Sequence, residues 1–145
     1  MNENIEHALA AYEDATNRYR GIAPSLESQA ELSAVQLMAR VALDFEPTAT
    51  HMLMESSDQG EFMCAPHALQ RDGVDLFDVQ WDVGDARARA DQWQDLIEQY
   101  DLHGAGSWLT WGHTAWERFV DTDHPYTSKR SGYLALDLRK IGATL

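Results

Sequence analysis

The chain has 145 residues, the size of one ordinary domain, and a 44% apolar fraction that can supply one core. A domain of this length hides roughly 68–70% of its unfolded surface, so a disulfide or metal staple is not required for folding. The 24 Asp and Glu against 11 Lys and Arg give a formal charge of −13, which argues against direct binding of a nucleic-acid backbone.

The charge is uneven. Residues 51–100 carry eleven acids and three bases, whereas residues 101–145 carry five of each. Such an excess aids solubility, adds self-repulsion and attracts basic partners or cations. Cys64 is the single cysteine, which excludes an internal disulfide framework and a multi-cysteine zinc site and points to the cytoplasm. The first residues show no signal-peptide pattern, and no apolar run is long enough to suggest a membrane span.

In chain order, Ile5, Leu9, Tyr12, Thr16 and Tyr19 share one helical face, and Gly21 and Pro24 mark its end. Ser25 is placed to cap a second helix, whose stripe is Leu26, Ala30, Ser33, Leu37 and Val41. Phe45-Glu46-Pro47 ends it, because a residue preceding proline avoids helical angles. The short link between the two predicts an antiparallel helical hairpin.

The pattern then changes to alternation. Residues 49–55 and 61–65 read as a β-hairpin around a polar turn, with Pro66 at its end, an edge or a bulge. Asp72-Gly73 is a second turn signal. In residues 77–83, Phe77, Val79, Trp81 and Val83 alternate with Asp78, Gln80 and Asp82, which predicts a strand with one core face and one acidic face. Asp85 is placed to cap a third helix carrying Ala86, Ala90, Trp93, Ile97 and Tyr100 on its inner stripe. Thr114 and Glu117 have capping-box spacing for a short helix. Residues 132–140 read as a last strand, with Leu134, Leu136 and Leu138 inward. The order implies one α+β domain over residues 1–145, with an N-terminal helical hairpin, a mostly antiparallel sheet of about four strands, and one or two further helices packed on one face.

No nucleotide loop, zincin motif, paired cysteines or nucleophile elbow is present, and Gly104-Ala105-Gly106 follows a helix rather than a strand. No cofactor or metal is therefore assigned, and no catalytic residue. Two imidazoles and a carboxylate drawn from His51, Glu55, His113, Asp121, Asp123 and His124 have the chemistry of a 2-His-1-carboxylate site, but nothing in their spacing forces them together. Trp108, Trp111, Trp116, Phe119, Tyr126 and Tyr133 form an aromatic group that suits a core, with Trp111 as a candidate interface anchor.

The feature furthest from ordinary is the acidic series Asp72, Asp75, Asp78, Asp82 and Asp85, which has no Lys or Arg between its ends. It leads to the expectation of a non-enzymatic binding protein that engages a basic partner protein, as an inhibitor, immunity protein or nucleic-acid mimic does. Two other readings remain open. One is a ligand- or metal-binding domain or enzyme with a pocket in the Trp/His-rich residues 103–126. The other is a structural homo-oligomer.

Overall fold

A computed structural model describes residues 3–19, 24–56, 64–77, 85–109, 114–128 and 133–145. The predicted strand at 77–83, apart from the buried Phe77, and the predicted anchor Trp111 lie outside these residues.

The helical hairpin is formed by α1 (Glu3–Tyr19) and α2 (Pro24–Phe45). The second helix starts at Pro24, one residue before the expected cap, as suits proline's fixed φ in a first turn. Along α2, Ala30, Ala34, Val35, Leu37, Met38, Val41 and Ala42 are buried, and α2 packs against α1 and the later short helices. A helix apolar on so much of its circumference belongs at the centre of a core.

Among the described residues the sheet has four strands in the order β3-β2-β1-β4, all pairs antiparallel: β1 (His51–Ser56), β2 (Cys64–Arg71), β3 (Val74–Asp75) and β4 (Tyr133–Asp137). This is an α+β arrangement, as expected. Pro66 does not end its strand. Met52 pairs with Leu69 but Met54 with Pro66, so β2 carries one extra residue, a bulge that tolerates a residue without an N–H. Asp72 (φ 51°) and Gly73 (φ 84°) form the two-residue turn between β2 and β3. Positive φ at both positions suits a primed hairpin turn.

A Cβ at Gly73 would meet nothing within 4 Å, so only backbone strain opposes a larger residue there. Gly73→Ala is expected to lose about 1 kcal/mol in urea unfolding, without loss of fold. A neutral result would mean that the turn relaxes to another type.

Helix α3 (Asp85–Gln99) begins at the predicted residue. Its Arg89 donates to the Phe45 carbonyl at 2.9 Å, pairs with Glu46 and lies 3.8 Å over the Phe45 ring. That contact satisfies one end-of-helix carbonyl of α2. Two short helices follow: α4 (Leu102–Gly106), which contains the Gly104-Ala105-Gly106 segment, and α5 (Thr114–Phe119), which starts at the predicted capping-box residue. A glutamate of α2 also reaches an α5 N–H. Glu31 of α2, 2% exposed, accepts from the Ala115 N–H.

The last element corrects the expectation. The predicted strand over 132–140 ends at Asp137, and the chain turns into α6 (Leu138–Gly142). Asp137 is the N-cap; its Oδ1 accepts from the N–H groups of Arg139 (3.0 Å) and Lys140 (3.4 Å). Leu138 is buried either way, which is why alternation did not reveal the change.

Met52, Met54, Leu69, Leu134 and Leu136 join the main core on the helical side. Leu53 and Ala135, of opposite parity, are buried outside that core. The face they share with His51 is covered by residues 121–128, and the candidate site lies there. Among the described residues, no helix is long and apolar enough to cross a membrane.

Candidate functional site

Strand register places one polar residue per strand in a row across the sheet. Asp137 of β4 pairs with His51 of β1, His51 with Gln70 of β2, and Gln70 with Asp75 of β3. Residues in register on neighbouring strands point to the same face, so the four side chains line up. His51, Gln70 and Asp137 are buried, at 5%, 9% and 6% exposure, so their polar atoms need partners.

The loop after α5 supplies two of them. It is pinned along β4: the Asp121 N–H donates to the Ala135 carbonyl (2.8 Å) and the Ser128 N–H to the Tyr133 carbonyl (2.8 Å). The Thr127 hydroxyl closes the loop, donating to the Asp121 carbonyl and accepting from the Ala135 N–H. From this frame Asp121 reaches over β4 to His51, with Nε2 and Oδ2 2.8 Å apart. His124 reaches further, to Gln70, with Nε2 and Oε1 2.9 Å apart. The two imidazole rings lie 4.9 Å apart.

Hydrogen-bond partners fix the proton positions. His124 Nδ1 accepts the Tyr126 N–H (3.1 Å), so its proton sits on Nε2 and is donated to Gln70. Gln70 then donates its amide to Asp75 at 2.7 Å. On the other branch, Thr50 Oγ1 lies 3.0 Å from His51 Nδ1, accepts the Asp72 N–H and can donate to the Gln70 carbonyl. Burial, together with the nearby His51 charge, lowers the His124 pKa despite the opposing pull of Asp121. Burial alone would raise Asp121, but the His51 hydrogen bond, the Asp123 N–H and the two imidazoles bring its pKa below the ordinary value.

His51 Nε2, Asp121 and Asp137 each offer a ligand atom, and these atoms lie within 4.8 Å of one another. The fold therefore unites three members of the predicted histidine set: His51, Asp121 and His124. Glu55 instead pairs with His67 at 3.8 Å, Asp123 is exposed, and His113 lies outside the described residues. Asp137, Gln70 and Thr50 belong to the network but were not singled out by sequence. The signal that existed for Asp137 was its residue type, since Asp is a favoured helix N-cap.

The acidic series is described only in part. Asp72 is exposed at the turn, and Asp75 is exposed but already receives the Gln70 amide. Asp85 opens α3, while Asp78 and Asp82 lie outside the described residues. A second acidic surface is complete. Asp91, Asp95 and Glu98 follow at steps of four and three on the exposed side of α3, whereas Asp101 lies past the helix end at φ 48° and caps α4, its Oδ1 accepting the Gly104 N–H at 3.2 Å. Arg87 meets Asp91 at 3.8 Å at one end of this ridge.

The aromatic group divides as a core would. Trp116 and Phe119 are 4% and 1% exposed, and the Trp108 N–H donates to the Tyr12 hydroxyl at 3.1 Å. Tyr126 stacks on Tyr133 at 5.1 Å. Burial, with Glu55, Tyr133 and Asp75 nearby, pushes the Tyr126 phenol well above its ordinary pKa. A cleft of about 180 Å³ lies elsewhere, lined by Asn4, Arg40, Leu43, Asp44 and Leu145, and shares no residue with the aromatic group or the polar row. Compared with models of protein families, with curated proteins and with solved structures, the chain has no match.

Proposed function

We propose that this chain is a non-enzymatic acidic binding protein that engages, and by doing so inhibits or neutralises, a basic partner protein. The observation that carries this reading is the charge of −13 together with the exposed ridge Asp91, Asp95 and Glu98. The ridge runs along about 10 Å of helix axis. Carboxylates held one turn apart repel one another, and a basic surface laid along them relieves that repulsion. The field also steers encounter from a distance and is screened by salt. With its one cysteine, the protein suits a reducing compartment such as the cytoplasm.

The test is capture by the tagged protein at low and moderate salt, alongside the variant Asp91→Lys/Asp95→Lys/Glu98→Lys. One stoichiometric basic protein, lost both as salt rises and in the variant, is the expected result. Capture that survives both changes would remove the charge-based reading.

The metal-binding alternative is favoured by a specific observation, the convergence of His51, Asp121 and Asp137. The homo-oligomer reading has less behind it. The large exposed apolar side chains among the described residues are Val74, Tyr133 and Leu145, in three separate places.

A further inference from the structure

We propose that His51, Asp121 and Asp137 bind one divalent first-row transition ion, of the zinc type, in the polar row beneath residues 121–128. The site is independent of the acidic ridge on α3.

The ligand geometry is close to what such an ion needs. Metal–ligand bonds of about 2.0–2.2 Å separate neighbouring ligand atoms of a tetrahedral centre by roughly 3.3–3.6 Å. His51 Nε2 and Asp121 Oδ2 are 2.8 Å apart, and all three ligand atoms fall within 4.8 Å of one another. Adjustments of about an ångström bring them to that spacing. Two of the three are placed by paired strands, since His51 and Asp137 are cross-strand partners.

Each ligand is also held from behind, as metal ligands commonly are. Asp137 Oδ1 is tied to the N-terminal N–H groups of α6, and Asp121 Oδ1 to the Asp123 N–H. His51 must present a bare Nε2 to a metal, which moves its proton to Nδ1. Thr50 accommodates that change, because its hydroxyl can accept from Nδ1–H while donating to the Gln70 carbonyl. One imidazole nitrogen with two carboxylates suits zinc, manganese or iron(II). Calcium prefers roughly six to eight oxygens, more than this set provides. Three protein ligands leave the fourth position of a tetrahedral centre to a water.

The test uses the full chain stripped with a chelator and titrated with Zn2+ and Mn2+ by calorimetry, with the melting temperature as a second readout. One ion per chain and a rise in melting temperature are expected. Asp121→Asn keeps its oxygen for the Asp123 N–H and turns its amide N–H toward His51 Nε2, which accepts it once the ring proton sits on Nδ1, but it loses the ligating charge. It should fold with a melting temperature near that of the parent while binding at least about 10-fold more weakly. Glu55→Gln removes a carboxylate from the same sheet face but no ligand, and should bind as the parent does. Equal binding by the parent and Asp121→Asn would overturn the proposal, as would no binding, or weakening by Glu55→Gln of the same size. None of these readouts involves a protein partner, so failure here leaves the acidic-ridge reading standing, and the reverse also holds.

Discussion

Trp93→Ala is expected to bring the protein close to unfolding at room temperature. Trp93 is fully buried, and its ring stacks on Phe45 at 5.9 Å and 21°. Removing a buried tryptophan typically costs about 3–5 kcal/mol, through lost burial and the cavity left behind. A second cost arises at the bulge. The extra residue in β2 turns the His67 carbonyl away from regular pairing, and the Trp93 N–H donates to it at 3.2 Å. Leaving that acceptor without its partner adds about 1–3 kcal/mol. Against a total stability of about 5–15 kcal/mol, the two together consume much of the margin. Trp93→Phe keeps an aromatic ring against Phe45 and loses the donor and only part of the buried volume, so it should be the milder change. Urea unfolding checks both, and a Trp93→Ala loss under about 2 kcal/mol would show that α3 closes over the gap.

Asp121→Ala should release the loop without unfolding the sheet. The substitution strands the buried His51 N–H and removes the acceptor for the Asp123 N–H, for an expected loss of about 1–3 kcal/mol. The effect should be local. Amide hydrogens of Tyr126, Ser128 and Ala135, which are bonded within or to the loop, should exchange faster, while those of β1 and β2 change little. Asp121→Asn should recover much of the protection, because its oxygen accepts the Asp123 N–H and its amide N–H can donate to His51 Nε2. Unchanged exchange in Asp121→Ala would mean that Thr127 and the β4 contacts hold the loop on their own.

Much of the architecture was legible because it rests on local chemistry. Ile5 and the residues at helical spacing after it specify α1, the Asp72-Gly73 pair specifies its turn, and Thr114 marks the start of α5. The end of the chain was misread because Leu134, Leu136 and Leu138 fit a strand, and only the carboxylate of Asp137, folded back on two N–H groups, distinguishes the helix. The candidate site was legible as an inventory but not as an arrangement. His51 and Asp121 are 70 residues apart in sequence, and their contact depends on which strand β4 pairs with and in what register. No local pattern encodes that choice. Gln70 and Thr50 were missed for a related reason: as a neutral amide and a hydroxyl, they acquire a role only once a histidine is delivered to them.

The position of β1 between β2 and β4 also sets an order of events during folding. Its pairing with β2 closes a short loop, since Ser56 meets Cys64, whereas its pairing with β4 joins His51 to Asp137 across most of the chain. Contacts between distant segments form slowly, because the entropy of closing a long loop is lost before the contact compensates for it. The β1–β2 hairpin can therefore assemble early against the N-terminal helices, with β4, α6 and the loop arriving last. On a ribosome, the sheet stays one strand short until Asp137 has emerged. Until then His51 has neither Asp121 nor Asp137 beside it, so the polar row is completed by the closing step of folding and reports whether the chain has finished it.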